Sequence, residues 1–317
     1  MQRWERTRCA CANSEARVSK SRRWFWAADR DASFAILDAF LDAGFNAIDT
    51  ADVYNRYAPG LVGGESETVI GQWMKDRGVR DRVVLITKGG LPMGEGMEGL
   101  GRDYLPRACE ASLGRLQTDH IDVYLSHAPD PHTPIAETME AFQGLIDTGK
   151  IGHAGCSNYP ADLLAEALSA GGHGKARYEV IQPLYNLAAR GDYEGIVEDL
   201  AVEHGLGVIT YYALAGGFLT GKYRKSEDAE GKARARVVSQ YLTPEGLDLL
   251  ARVDTVAARH DARPAQVALA WAMARPSVSA PIASATSTAQ LEEILQATRI
   301  QLSSEDMALL EGEQAAG

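Results

Sequence analysis

The sequence predicts an α/β protein built as a single (β/α)8 barrel. Three observations predict it: apolar strand-like segments alternate with amphipathic helix-like segments, short breaks rich in Gly, Asp and Pro separate them, and polar residues directly follow several of the strands. Such alternation is typical of repeated βα units around a parallel sheet. With 317 residues and 45% hydrophobic side chains, the chain can bury the core of one large barrel.

The predicted elements follow one another in a regular order. Each of the first six predicted helices leads to a strand. Helices 32–43, 65–76 and 103–117 lead to FNAIDT, VVLITK and IDVYLSH, respectively. A helix with Ile135, Met139, Phe142 and Ile146 on one face leads to HAGCSN, and helices 161–169 and 193–204 lead to VIQPLY and VITYYAL, respectively. A segment at 215–243 then interrupts the alternation. Helix 244–259 follows, and helix 264–275, opened by Pro264, leads to the strand APIAS and helix 287–297.

The first strand of the barrel is the least regular element. A closed barrel needs eight strands, and the pattern supplies seven, so the missing strand must come from residues 1–30. We therefore predict an atypical N-terminal segment at 1–30 and a barrel domain at 31–317. Within the segment only the fragments RVSK and WFW consist of β-favouring residues.

The charge of the chain excludes some classes of partner. Its net charge is -11; residues 1–24 carry seven basic and two acidic groups, or +5, which leaves -16 for the remainder. An acidic protein is not expected to bind nucleic acid or an anionic membrane. No stretch approaches the roughly 18 apolar residues of a membrane span. The four cysteines lack zinc-site or CxxC spacing, so we expect a reduced, cytoplasmic location.

Four polar residues lie at or just after the ends of three predicted strands. Asp49 and Tyr54 belong to one strand end, Lys88 closes the next strand, and His127 closes the one after it. The carboxyl ends of parallel strands open onto one face, so these groups can meet in one pocket. An acid, a phenol, an amine and an imidazole together suit proton transfer to a carbonyl oxygen.

The segments around these residues resemble the aldo-keto reductase superfamily. GFNAIDTADVY is similar to the family's second-strand signature, GRDYLPRACEASLGRLQTDHIDVYLSH to the helix and strand that deliver its histidine, and GKIGHAGCSN to its fifth-strand signature. The resemblance extends from Ala32 to Leu310. It implies the reversible, NAD(P)H-dependent reduction of an aldehyde or ketone, with Asp49, Tyr54, Lys88 and His127 as the catalytic tetrad.

The chemistry of these residue types is consistent with the roles that the resemblance implies. A phenol with a pKa near 10 donates poorly at neutral pH, so the Lys88 ammonium would help by stabilising the phenolate. Asp49 would keep Lys88 charged and in place. A neutral His127 would hydrogen-bond the carbonyl oxygen. Tyr54 would then be the general acid in reduction and the base in the reverse reaction.

The resemblance also implies a coenzyme site, because no side chain donates hydride. The nicotinamide would be held by Ser157, Asn158, Gln182 and a stacking ring that we place at Tyr212; the pyrophosphate by Leu214, Gly217 and Lys222; and the adenosine by Ser284, Thr286, Gln290 and Glu293. Relatives often carry Lys or Arg at the positions of Ser284 and Gln290 to neutralise a 2′-phosphate. Both positions are uncharged here. NADP is the coenzyme that the resemblance implies, and NAD is the alternative.

Other interpretations of the sequence stay open at this point. Potassium-channel beta subunits share the barrel and act as bound regulators, so a non-catalytic, NADP-binding regulatory subunit is one alternative. His127, Asp130 and His132 permit a second, a metal-dependent hydrolase, although we predict no metal. The GxGxxG sequence at 94–99 is interpreted as a surface loop, since it begins six residues beyond the strand end at Lys88.

Overall fold

Eight parallel strands form a closed barrel in which each strand pairs with its neighbours in the sequence and β1 pairs with β8. The structure is a computed structural model that describes residues 11–13, 30–56, 60–172, 175–232 and 234–312. The strands are β1 (Cys11–Asn13), β2 (Ala47–Asp49), β3 (Val84–Gly89), β4 (Ile121–Ser126), β5 (Ile151–Ser157), β6 (Tyr178–Gln182), β7 (Gly207–Thr210) and β8 (Ala280–Ala283). The predicted barrel is confirmed.

The first strand lies within residues 1–30 but N-terminal to both fragments suggested by the sequence. Strand β1 pairs in parallel with β2, where Asn13 is opposite Asp49, and with β8, where Ala12 is opposite Ala283. The fragments RVSK and WFW lie outside the described residues. The division of the chain at residue 30 stays a prediction.

Helices alternate with these strands and cover the outside of the barrel. They are α1 (Arg30–Asp42), α2 (Glu65–Arg77), α3 (Leu105–Leu116), α4 (Ile135–Asp147), α5 (Ala161–Ala170), α6 (Ile196–Glu203), α7 (Ser226–Ala229), α8 (Ala235–Ser239), α9 (Pro244–Arg259), α10 (Pro264–Ala274), α11 (Thr288–Leu295) and α12 (Ser304–Glu311). None of the described helices is both long enough and apolar enough to cross a membrane.

The core consists of an inner and an outer layer. Successive strand residues point to opposite faces, so one series fills the barrel and the other packs beneath the helices. The inner layer contains Ala47, Ile86, Val123, Leu125, Val180, Ile209, Ala280 and Ile282. The outer layer is larger and includes the fully buried rings of Trp73, Phe142 and Trp271. The inner series matters for the site, because its last members face the C-terminal mouth of the barrel.

Two parts of the chain depart from simple βα repetition. The segment at 215–243 contains a 3₁₀ turn at Ala215–Thr220 and the short helices α7 and α8. Helix α12 follows helix α11 and was not predicted from the sequence. Its N-terminus carries a capping box, in which the Ser303 hydroxyl accepts from the Asp306 N–H and the Asp306 carboxylate accepts from the Ser303 N–H.

Candidate active site

Lys88 is the centre of the predicted tetrad. Its ammonium donates to Asp49 Oδ2 at 2.8 Å, to the Thr50 carbonyl at 2.8 Å and to Tyr54 Oη at 2.9 Å. An ammonium has three N–H bonds, and each is matched here to one acceptor. Because the Tyr54 oxygen accepts from Lys88, its own proton is directed away from the ammonium. The structure thus brings Asp49, Lys88 and Tyr54 together as predicted.

The geometry of β2 and β3 explains why Asp49, Lys88 and Tyr54 are in contact. Asp49 comes two residues after the inward-facing Ala47, and Lys88 comes two residues after the inward-facing Ile86, so both side chains point into the barrel. Beyond Asp49 the chain keeps its hydrogen bonds to β3, with the Thr50 N–H donating to the Ile86 carbonyl at 2.9 Å and the Asp52 N–H to the Lys88 carbonyl at 3.1 Å. This continued pairing delivers the following turn, and with it Tyr54, to the end of β3.

The Asp49–Lys88 ion pair is fully buried. Both side chains are 0% exposed. Burying two charges is costly unless they are paired and their other polar atoms are bonded. Here Asp49 Oδ1 accepts from Gln182 Nε2 at 2.8 Å, so both carboxylate oxygens have a partner. Gln182 lies at the end of β6, on the opposite side of the barrel, and its hydrogen bond holds Asp49 in place from there.

His127 completes the set and is neutral. Its ring lies edge-on to Tyr54, with the ring centroids 5.9 Å apart. Burial, with a smaller contribution from the Lys88 charge, lowers the pKa of His127 to about 3. A neutral imidazole keeps one N–H that can donate to a carbonyl oxygen. The buried Nδ1 atom has no hydrogen-bond partner among the described residues.

A second group of polar side chains lies at the ends of β5 to β7. The Ser157 hydroxyl donates to the Gln182 carbonyl at 2.8 Å, and Asn158 Nδ2 donates to the His127 carbonyl at 2.8 Å. The Tyr211 hydroxyl donates to Asn158 Oδ1 at 2.7 Å. Asn158 adopts a left-handed backbone with φ 62°. These neutral amides and hydroxyls suit a ligand that carries a carboxamide.

Comparisons with known proteins identify the family. The family model described as the Aldo/keto reductase family matches residues 19–313.

The chain belongs to the aldo/keto reductase family.

Similar curated proteins agree with that assignment. The chain is 34% identical to the uncharacterized oxidoreductase YrpG of Bacillus subtilis (strain 168), over 89% of this chain and 86% of the relative. It is 30% identical to the L-glyceraldehyde 3-phosphate reductase of Escherichia coli O157:H7, over 89% and 84%. It is also 34% identical to a probable voltage-gated potassium channel subunit beta of Oryza sativa subsp. japonica, over 83% and 80%. The enzyme class predicted from the sequence, an NAD(P)H-dependent oxidoreductase, is therefore confirmed.

In this aldo/keto reductase, the two adjacent tyrosines after β7 face different cavities. Tyr211 packs on the inner layer that contains Ile209 and lines a cavity shared with Asn158 and Gln182. Tyr212, where the sequence placed the stacking ring, has a left-handed φ of 53° and lines another cavity. Alternation along β7 gives the two tyrosines opposite orientations, but the sequence does not show which of the two points into the barrel.

The cavity beside Tyr212 contains most of the predicted phosphate and adenosine residues. Its lining includes Leu214, Gly217, Lys222, Ser284, Thr286 and Gln290, and also a second cation, Arg234. Gly217 has φ 104°, a backbone conformation open chiefly to glycine. Gln290 Oε1 accepts from both the N–H and the hydroxyl of Thr286, at 2.8 and 2.9 Å. The segment between β7 and α9, the end of β8 and the start of α11 therefore line the same cavity.

Glu293 lies apart from that lining. It is one helical turn beyond Gln290, and its carboxylate is 3.4 Å from the Arg263 guanidinium. Its assignment to the adenosine stays a prediction. The glycine-rich sequence at 94–99 is a loop, since helix α3 begins only at Leu105. Among the described residues, no group of three or more His, Cys, Asp or Glu side chains could hold a metal ion.

Proposed function

We propose that this aldo/keto reductase catalyses the reversible reduction of an aldehyde or small ketone to the alcohol, with Tyr54 as the proton donor. The observation that carries the proposal is the Lys88 ammonium, which hydrogen-bonds both the Tyr54 oxygen and the buried Asp49 carboxylate. This arrangement supports proton transfer, because the ammonium stabilises the phenolate that is left when Tyr54 gives up its proton.

The roles of the tetrad residues follow from their contacts. A reduced nicotinamide coenzyme, when bound, supplies the hydride for the carbonyl carbon. Tyr54 donates a proton to the carbonyl oxygen, and the neutral imidazole of His127 donates a hydrogen bond to the same oxygen. Asp49 keeps Lys88 charged, and Gln182 holds Asp49 in place. In the alcohol-oxidising direction, Tyr54 receives the proton.

Ser157, Asn158 and Gln182 are the residues that we assign to the nicotinamide carboxamide. They offer both donors and acceptors beside the tetrad, which matches a group with one acceptor oxygen and an NH2 donor. We assign the stacking ring to Tyr211 rather than Tyr212, because Tyr211 is bonded to Asn158 at 2.7 Å whereas Tyr212 lines the other cavity. A phenol ring stacks well on a flat heteroaromatic ring.

The second cavity would hold the phosphates and the adenosine. Lys222 and Arg234 line it, while the residues at its β8 and α11 wall, such as Ser284 and Gln290, are uncharged. We therefore propose NADP as the coenzyme, with its 2′-phosphate bound by a cation from the segment after β7. NAD is the alternative if neither cation reaches that phosphate.

The substrate would enter between the loops that follow β3 and β4. A cavity there is lined by Leu91 and Tyr104 from the first loop and by Pro129 and Asp130 from the second. Asp130 is held in place, since it accepts from the Leu100 N–H, the His132 N–H and the Thr133 hydroxyl. These loops lie directly after Lys88 and His127, so they are placed to select among small carbonyl compounds. A cytoplasmic location remains our expectation.

One alternative function has support among the relatives. The 34% identity to a protein named as a probable potassium channel subunit beta is consistent with a regulatory subunit that binds the coenzyme without turnover. The complete hydrogen-bonded set of Asp49, Lys88 and Tyr54 favours an active reductase. Coenzyme binding without reduction of any carbonyl compound would favour the regulatory role.

Comparing the wild type with Tyr54→Phe tests the proposal. We expect the change to lower kcat for aldehyde reduction by about 10²- to 10⁴-fold, because it removes the general acid, and to leave coenzyme binding unchanged. Oxidation of NADPH and of NADH is measured by absorbance with a panel of aldehydes and small ketones. Tyr193→Phe, which removes a buried hydroxyl next to Tyr185, serves as the control. Equal rates in wild type and Tyr54→Phe would contradict the mechanism.

A further inference from the structure

The buried acidic side chains around Lys88 outnumber the cationic side chains beside them. Three acids, Asp49, Asp52 and Glu67, are each at most 1% exposed. The two cations beside them are already paired, Lys88 with Asp49 at 2.8 Å and Arg115 with Glu67 at 2.7 Å. In the described part of the chain, Asp52 has no ion-pair partner within 4.0 Å. One acid is therefore in excess, and it lies between two members of the tetrad in the sequence.

Asp52 is fixed beside Lys88 by its backbone, while one of its two carboxyl oxygens lacks a donor. The Asp52 N–H donates to the Lys88 carbonyl at 3.1 Å. Its Oδ1 atom is buried and has no hydrogen-bond partner among the residues described. A Cβ atom built on Gly89 would lie 3.4 Å from Asp52 Oδ2 and 2.2 Å from Tyr124 Oη. Asp52 Oδ2 and Tyr124 Oη thus both lie beside the backbone of Gly89, the residue that follows Lys88.

A charged Asp52 would be unfavourable in this position. The groups that face it from the surrounding elements are Glu67 on α2, Lys88 on β3, Tyr104 and Arg115 before and on α3, and Tyr124 on β4. Burial, with Glu67 adding to it, raises the pKa of Asp52 to about 7, and Arg115, the Val53 N–H and Lys88 offset only part of this effect. Removing the proton would place another carboxylate in a site whose cations are already paired.

We propose that Asp52 is a positioning residue whose proton determines how strongly Lys88 activates Tyr54. The proposal rests on the function proposed above. When Asp52 is protonated, the Lys88 charge acts on Asp49 and Tyr54 alone. When Asp52 releases its proton to solvent, its carboxylate offsets part of the Lys88 charge, and the Tyr54 phenolate formed during reduction is less well stabilised. Reduction therefore slows as Asp52 ionises.

The pH profile of Asp52→Asn tests this role, because asparagine mimics the size of the protonated acid without titrating. In the wild type we expect kcat for reduction to fall about threefold to tenfold from about pH 6 to about pH 8, as expected for one added charge in the protein interior. In Asp52→Asn the profile should be flat at the higher value. Asp42→Asn, which removes an exposed acid at the end of α1, should have the same pH profile as the wild type.

Thermal unfolding gives a readout that does not depend on turnover. The folded-state pKa of Asp52 lies above its ordinary value of 3.8, so the fold loses stability as pH rises from about 4 to about 7. The melting temperature of Asp52→Asn should therefore exceed that of the wild type by a margin that widens from about pH 5 to about pH 7. A constant margin would show that Asp52 is ionised throughout, and would overturn the proposal.

The remaining outcomes separate this proposal from the proposed function. Turnover with the same pH dependence in wild type and Asp52→Asn would contradict the role of Asp52 while leaving the reductase activity established. Absence of turnover in every variant would overturn the proposed function and, with it, the role of Asp52. A second neutral variant, Asp52→Ser, has to reproduce the flat profile of Asp52→Asn if the charge is the cause.

Discussion

Polar residues lie at the strand ends of β2 to β4 and also at those of β5 to β8, but the two regions differ in the groups to which these residues are bonded. In the first region a buried ion pair joins Asp49 and Lys88, and each bonds a further group. In the second region neutral amides and hydroxyls, such as those of Asn158 after β5 and of Thr286 after β8, hydrogen-bond to nearby protein groups. Fixed charges suit a reaction that needs the same arrangement in every cycle. Neutral groups can exchange a protein partner for a ligand at little cost.

Removing a charge from the first region should have the largest effect. In Lys88→Met, Asp49 would remain fully buried, and Gln182 would be its remaining side-chain partner among the residues described. Breaking a buried ion pair in this way costs about 3–5 kcal/mol. We expect the free energy of unfolding, measured in urea, to fall by that amount. The exposed Lys222 of the second region provides the control, and Lys222→Met should change stability by less than about 1 kcal/mol.

The double variant Asp49→Asn/Lys88→Met shows whether the cost comes from the unpaired carboxylate. Since this variant leaves no buried charge at the pair, it should be more stable than Lys88→Met alone. A double variant no more stable than the single one would mean that the two regions do not differ in the way described.

The charges of the second region should affect ligand binding rather than stability. In Arg234→Ala we expect the dissociation constant for NADPH to rise about tenfold to a hundredfold, because a charge-assisted hydrogen bond contributes about 1.5–3 kcal/mol. NADH binding, measured by fluorescence titration, should not change. Arg236→Ala, two residues further along on α8, is the control, since Arg236 is exposed and lies outside the cavity lining. Equal weakening for both coenzymes would place Arg234 on the pyrophosphate instead of the 2′-phosphate.

Replacing either of the two tyrosines after β7 should change ligand binding by a smaller amount. Stacking contributes about 0.5–1.5 kcal/mol, so Tyr211→Ala should weaken binding of nicotinamide mononucleotide about twofold to tenfold. It should leave binding of 2′,5′-ADP unchanged, because Tyr211 lies outside the second cavity. Tyr212→Ala should show the opposite pattern. Both binding constants can be measured by calorimetry, and the reverse result would return the stacking role to Tyr212, as the sequence first suggested.

Local sequence patterns predicted most of the fold and the residues of the tetrad. The helix with Met139 and Phe142 on one face is present, and both side chains are buried. Asp49, Lys88 and His127 were recognisable because charged or ionisable groups directly end apolar strands. Helix α12 was missed even though its capping box, Ser303 with Asp306, is visible in the sequence. That signal is short, and the helix has only eight residues.

The amino-acid sequence by itself determined the alternation of strands and helices, and hence a barrel whose strand ends share one face. It also determined which chemical groups lie at those ends, because both properties depend on the order of neighbouring residues. Only the tertiary structure decided which of Tyr211 and Tyr212 faces the barrel, since the pairing of β7 with β6 and β8 sets its inward series. It likewise decided that Lys88 pairs with Asp49 and Arg115 with Glu67, which leaves Asp52 without an ion-pair partner among the described residues. These choices depend on distances between groups far apart in the chain, and electrostatic free energies vary with those distances and with burial.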